Sequence, residues 1–148
     1  MARYLVVAHE TVTNPRLLEQ VQAVRKDDQQ AEFVLLVPAT PVRHLLFRRG
    51  DGEDAKAAAR KLADRARTMF SKHGIQLSDA RVGAAEPADA IDDELTANPG
   101  YAGFVISTLP KETSRWLRMD LPRTVGAKYG LPVYHVMAEP DWNVGDLP

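Results

Sequence analysis

Residues 4–16, YLVVAHETVTNPR, join an apolar run to a helix start and thereby decide the fold. The run 4–8 is rich in residues that favour strands, which is typical of a strand buried on both faces of a sheet. Asn14 is a natural helix N-cap, and Pro15 stands at the first helical position, where its missing N–H costs nothing. A buried strand that leads directly into a helix is the first half of a parallel βαβ unit.

The alternation of apolar strand and amphipathic helix continues along the chain. Further strands are predicted at residues 33–37, 104–106 and 133–136, with an edge strand at 75–82. Helices are predicted at about 15–26, 54–72, 87–97 and 121–129, and residues 38–53 are expected to form a loop. Right-handed crossovers then produce a parallel sheet with helices on both faces, an α/β three-layer sandwich.

Composition excludes several classes of protein. The 148 residues suit one domain, and the net charge of −1 gives no global field that would attract nucleic acid or an anionic membrane. The chain has no cysteine, so disulfides and thiolate metal sites are excluded. No apolar run is long enough to span a bilayer, and the expected location is the cytoplasm.

Ligands of open parallel sheets bind beyond the carboxyl ends of the strands, where the strand order reverses. Polar residues follow the predicted first, second and fourth strands at that edge. We therefore expect a ligand site, with no catalytic or metal-binding residue assigned, that is formed by His9, Glu10, Thr11, Pro38, Ala39, Ser107, Thr108, Lys111, Ser114 and Arg115.

The segment 107–118, STLPKETSRWLR, carries most of this expectation. It offers four hydroxyls and three cations, a combination that suits a phosphate group. The alternative is a solvent-exposed loop whose Trp116 packs inward. His9 and Glu10 could perform acid–base chemistry, but no nucleophile accompanies them, and a hydrogen-bonded structural histidine is the favoured interpretation.

A second basic cluster is interleaved with apolar residues at 43–49. It could contact an anion or RNA, although a short amphipathic turn over the sheet edge is favoured. No Gly-rich phosphate loop, nucleophile elbow or H-E-x-x-H motif is present.

Three features resemble the universal stress protein family: the opening run 4–8; the stretch 104–108 (FVIST) with 114–117 (SRWL) after it; and the final LPVYHV at 131–136. The resemblance covers residues 3–137 and leaves 138–148 as a C-terminal tail. It implies the adenine-nucleotide α-hydrolase-like fold with strand order 3-2-1-4-5, a stress-linked regulatory role and a homodimer.

One subgroup of that family binds ATP through G-x-x-G, nine further residues and G-S/T after the fourth strand. The corresponding positions here are Ile106 and Leu109, or Ser107 and Pro110, followed by Met119. All the glycines that let backbone N–H groups approach a triphosphate are absent. The chain therefore resembles a divergent member in which ATP or AMP binding is doubtful.

Three functions follow from these observations. The leading hypothesis is a dimeric ligand-binding or regulatory domain, with a small phosphate-bearing molecule as a candidate ligand. The alternatives are a small nucleotide- or phosphate-handling enzyme that uses His9 and Glu10, and an interaction protein without a working pocket.

Overall fold

The computed structural model describes residues 2–41, 51–111 and 113–140, without the side chains of 51–53. Its strands are β1 (Arg3–Val7), β2 (Glu32–Pro38), β3 (Asp79–Gly83), β4 (Gly103–Thr108) and β5 (Val133–Met137). Its helices are α1 (Pro15–Asp27), α2 (Asp51–Lys72), α3 (Pro87–Ala97), α4 (Arg115–Arg118) and α5 (Leu121–Tyr129).

The five strands form one parallel sheet in the order β3-β2-β1-β4-β5, which confirms the predicted fold class and strand order. β1 is central: Leu5 is in register with Val34 of β2 and with Phe104 of β4. The chain winds outward from β1 to one edge and then crosses back to build the other. The order therefore reverses between β1 and β4.

Side chains of alternate strand residues enter two separate cores, one on each face of the sheet. α1 and α2 cover the first face, where Val6, Leu35 and Val105 pack against helix residues such as Val21 and Phe70. α3, α4 and α5 cover the second face. There Leu5, Val7, Leu36, Phe104 and Ile106 pack against a helix set of Ala90, Ile91, Trp116, Leu121 and Val125. This arrangement is the predicted three-layer sandwich.

The start of α1 is built as the sequence predicts. Asn14 has extended backbone angles, and its side-chain oxygen accepts a 2.9 Å hydrogen bond from the N–H of Arg16. The amide group of Asn14 also donates to Glu139 at 2.6 Å. The predicted tail is therefore fastened to α1 at its beginning, and Ala138 donates its N–H to the carbonyl of Thr108 at 2.9 Å.

Two predicted boundaries are wrong. α2 begins at Asp51 rather than at 54, because a single glycine such as Gly52 costs a long helix only about 1 kcal/mol. The strand expected at 75–82 begins at Asp79. Ile75 and Leu77 lie in the connection before it, and both are buried in the first core. The alternating apolar residues there are explained by burial of the connecting segment and do not indicate strand pairing.

The basic cluster predicted at 43–49 lies outside the described residues, as do residues 141–148 of the predicted C-terminal tail.

Gly83 at the end of β3 should be sensitive to substitution. A Cβ atom there would lie 2.8 Å from the Cβ of Ala90 on α3 and 3.0 Å from Cδ1 of Leu36. Gly83→Ala should therefore lower the free energy of unfolding by about 1–3 kcal/mol through overpacking. Urea denaturation measures the change. Gly126→Ala provides the comparison and should cost less stability than Gly83→Ala. The alanine gains helix propensity in α5, and its added Cβ would lie 3.2 Å from Val133 Cγ2. A Gly83→Ala variant as stable as the wild type would contradict this packing.

Candidate functional site

A cavity of about 490 Å³ opens at the carboxyl edge of the sheet, beside the point where the strand order reverses. Its walls come from the segments that follow β1, β2 and β4, and from α4. The lining residues are His9, Glu10, Thr11, Thr40, Pro41, Ser107, Thr108, Leu109, Thr113, Ser114, Arg115, Trp116 and Arg118. The volume lies within the range typical of small-molecule sites.

Two consecutive turns carry the chain from β1 into α1 and form one wall. The N–H of Val12 donates to the carbonyl of His9 at 3.2 Å, and the N–H of Asn14 donates to that of Thr11 at 2.9 Å. These turns bring the Thr11 hydroxyl within 2.6 Å of the Ser107 hydroxyl at the end of β4. Because both groups are buried, this hydrogen bond joins the two central strands beneath the cavity.

His9 is buried, with 8% of its surface exposed. Its Nε2 atom has no hydrogen-bond partner among the described residues. Burial lowers the pKa of His9 to about 4, since the charged ring would lose its hydration without compensation. His9 is therefore a neutral wall of the cavity at pH 7.

The Thr108 hydroxyl is shared with β5. It lies 2.9 Å from Nε2 of His135, and burial lowers the pKa of that histidine below its usual value. Thr108 thus links β4 to the edge strand as well as lining the cavity.

α4 supplies the opposite wall, in a segment that the sequence predicted as a loop. The N–H groups of Thr113 and Ser114 both donate to the carbonyl of Pro110 at 2.9 Å. The Ser114 hydroxyl then caps the helix by accepting from the N–H of Leu117 at 3.1 Å. These local hydrogen bonds occupy backbone donors that could otherwise have faced an anion. Trp116 is buried in the second core, as the alternative interpretation expected.

Two arginines give the cavity its positive charge. Arg115 pairs with Glu86 at the start of α3, with Nη2 and Oε1 3.1 Å apart. Arg118 is exposed, and it has no acidic partner within the described part of the chain. Glu10 is half-buried at the same cavity and contributes the opposite charge.

The structure brings seven of the ten predicted site residues to this cavity and leaves three away from it. Pro38 ends β2, and Ala39 is buried with its N–H directed to the carbonyls of Gly83 and Ala84 at 3.1 and 3.2 Å. The chain therefore reaches the cavity only at Thr40 and Pro41. Lys111 is exposed and does not line it.

The predicted site set also omitted several lining residues, namely Thr40, Pro41, Leu109, Thr113, Trp116 and Arg118. The hydroxyls and cations of 107–118 were the available signal for Thr113 and Arg118. For Trp116 the helical turn of α4 decides the position, and a loop prediction could not place it.

A larger cavity of about 630 Å³ lies beside β3, between α2 and α3. Two of its polar side chains belong to an ion-pair network: Arg81 pairs with Asp79 and with the buried Glu94, which also accepts a 2.8 Å hydrogen bond from Tyr101. This network stabilises the fold and leaves the carboxyl-edge cavity as the better candidate site.

Searches for other kinds of site concern the described ranges alone. There, no three His, Asp or Glu side chains cluster closely enough to hold a metal ion. Within the same ranges, no helix combines the length and apolar character needed to cross a membrane.

No protein-family model matches this chain, and no curated protein matches it in sequence. Among solved structures, it is similar to a universal stress protein family protein from Arabidopsis thaliana, whose crystal structure has AMP bound. The two share 13% sequence identity at a TM-score of 0.57, over 95% of this chain and 94% of that one. At this identity the likeness establishes the fold, which is the adenine-nucleotide α-hydrolase-like arrangement.

The buried His9 should make stability depend on pH. The unfolded chain takes up the proton near pH 6.5, whereas the folded protein resists it until about pH 4. Above about pH 6.5, His9 therefore does not lower the free energy of unfolding. As pH drops towards 4, protonation of His9 in the unfolded chain lowers that free energy by about 3 kcal/mol. Urea titrations at pH 7 and pH 4.5 should show a smaller difference for His9→Gln than for the wild type.

The exposed His73 provides the control for this comparison. His73→Gln should retain the pH dependence of the wild type. If His9→Gln retains it as well, His9 is not the group responsible.

Proposed function

We propose that this chain is a universal-stress-protein-like ligand-binding or regulatory domain that holds a small phosphate-bearing molecule in the carboxyl-edge cavity. The observation that carries the proposal is the convergence of hydroxyls and two arginines on one cavity at the strand-order reversal. Guanidinium groups bind phosphate oxygens through paired N–H donors, and hydroxyls add further hydrogen bonds. The AMP found in the Arabidopsis structure supports a ligand of about that size.

The same geometry argues against a wrapped triphosphate. Pro110 has no N–H, and the N–H groups of Thr113 and Ser114 are already bonded to the Pro110 carbonyl. Leu109, a residue with a side chain, lines the cavity where the ATP-binding subgroup has a glycine that allows a close backbone approach. Recognition here must therefore come from side chains, chiefly Arg115 and Arg118.

Catalysis is less well supported than binding. A general base works best with a pKa near the operating pH, and burial lowers the pKa of His9 to about 4. The buried hydroxyls of Thr11 and Ser107 are hydrogen-bonded to each other, with no histidine or carboxylate hydrogen-bonded to either within the described residues. Neither hydroxyl is activated as a nucleophile.

Calorimetry with AMP and with Mg-ATP tests the proposal. AMP should bind. Mg-ATP should bind with a dissociation constant in the millimolar range or weaker, which corresponds to a binding free energy no more favourable than about −4 kcal/mol. Arg118→Ala should weaken AMP binding by about tenfold or more, because it removes charged hydrogen-bond donors. Binding should also weaken as salt increases.

Lys111→Ala is the matched control, since it removes one positive charge from the same segment outside the cavity. It should change AMP affinity by less than about twofold. Micromolar affinity for Mg-ATP would contradict the argument from the missing glycines. Absence of binding by AMP, ATP and inorganic phosphate would favour the interaction-protein alternative.

We further propose a homodimer that forms along β5. Tyr134 and Met137 on this edge strand are 38% and 39% exposed, and Met119 is the one other large apolar side chain so exposed in the described ranges. At the opposite edge, Asp79 and Arg60 hydrogen-bond the N–H and carbonyl of Ala80 at 2.8 and 3.2 Å. Those side chains protect β3, whereas β5 offers an apolar edge for pairing.

Sedimentation velocity at tens of micromolar should show a particle of twice the 16.4 kDa chain mass. Tyr134→Lys should shift it to the monomer, because an edge lysine opposes strand pairing. Met119→Lys also replaces an exposed large apolar side chain by lysine, but outside β5, and it should preserve the dimer. A wild-type monomer, or equal dissociation by both variants, would contradict the β5 interface.

A further inference from the structure

We propose that the Glu86 carboxylate regulates the cavity as an internal competitor of the ligand for the Arg115 guanidinium. An incoming anion must displace this carboxylate from Arg115. This inference rests on the proposed function, since it concerns how the same cavity admits its ligand. Arg115 lines the cavity, whereas Glu86 lies beside it and pairs with Arg115 at 3.1 Å.

Glu86 is free for this role because it does not cap its own helix. It occupies the N-cap position of α3, yet its side chain makes no capping hydrogen bond. The carboxylate reaches instead to α4, 29 residues further along the chain. Its only ion pair among the described residues is therefore with an arginine of the candidate site.

The segment that carries Glu86 is firmly held. Ala39 donates its N–H to the carbonyls of Gly83 and Ala84, and the Thr40 hydroxyl donates to the carbonyl of Ala85 at 2.7 Å. Arg115, in contrast, belongs to a helix of four residues. Displacement therefore separates the two side chains, while the backbone that carries Glu86 stays in place.

The pair is weak enough to exchange. Side-chain exposures are 59% for Arg115 and 50% for Glu86, and exposed ion pairs contribute little because water and salt screen them. A phosphate can replace one carboxylate contact with two parallel ones on the same guanidinium. Glu86 thus lowers the affinity of the cavity for an anion without blocking the cavity.

Titration calorimetry with AMP as the probe, at low salt, tests this competition. Glu86→Gln should tighten AMP binding by about two- to fivefold, since it frees Arg115. Asp89→Asn, which neutralises an exposed carboxylate in the first turn of the same helix, should change the affinity much less. Urea midpoints of both variants should stay near that of the wild type.

A double-variant cycle separates competition at Arg115 from a general effect of charge. In an Arg115→Ala background, the gain from Glu86→Gln should disappear. An unchanged affinity in Glu86→Gln, or a gain that persists without Arg115, would overturn the inference while leaving the proposed function intact. If neither the wild type nor Glu86→Gln binds AMP, ATP or inorganic phosphate, the proposed function itself fails and the inference fails with it. Binding by Glu86→Gln alone would support both.

Discussion

β1 hydrogen-bonds to β2 on one side and to β4 on the other, and the remaining architecture depends on this double pairing. Two parallel neighbours on one strand require the chain to cross over the sheet in both winding directions, which separates the segments that follow β1 and β4. The gap between those segments is the cavity. The hydrogen bond between Thr11 and Ser107 then fixes its floor, because each hydroxyl comes from one of the two diverging segments.

The cavity is built from side chains, and this distinguishes it from a phosphate loop. The N–H groups of Thr113 and Ser114 are bonded to the Pro110 carbonyl, and the Ser114 hydroxyl accepts from the N–H of Leu117 within α4, so these donors have partners without a ligand. A neutral His9 adds bulk and no charge. The electrostatic character of the cavity therefore depends on Arg115 and Arg118 on one side and on Glu10 on the other. The carboxylate of Glu86, beside the cavity, pairs with Arg115.

The two edge strands of the sheet, β3 and β5, differ in how far other side chains of the chain cover them. At β3, the side chain of Asp79 in the strand itself accepts from the N–H of Ala80, and Arg60 of α2 donates to its carbonyl. At β5, Glu139 ties the following residues back to Asn14, which holds the strand in place and leaves its outward face uncovered. One edge is thus partly protected by hydrogen bonds to Ala80 within the chain, and the other presents exposed apolar side chains to solvent.

The sequence by itself indicated the five strands, four of the five helices and the parallel orientation of the sheet, because apolar runs and caps such as Asn14-Pro15 act over a few residues. The strand order was implied by the resemblance to the universal stress protein family, and α4 was expected to be a loop. The sequence also indicated the correct edge of the sheet for a site. It overestimated β3, since Ile75 and Leu77 are apolar for burial and not for pairing. Only the tertiary structure decided that Thr40 rather than Pro38 reaches the cavity, that His9 is neutral, and that Glu86 holds Arg115. Those outcomes depend on residues far apart in the chain, whose distances and burial arise when the sheet and helices pack, and no local pattern encodes them.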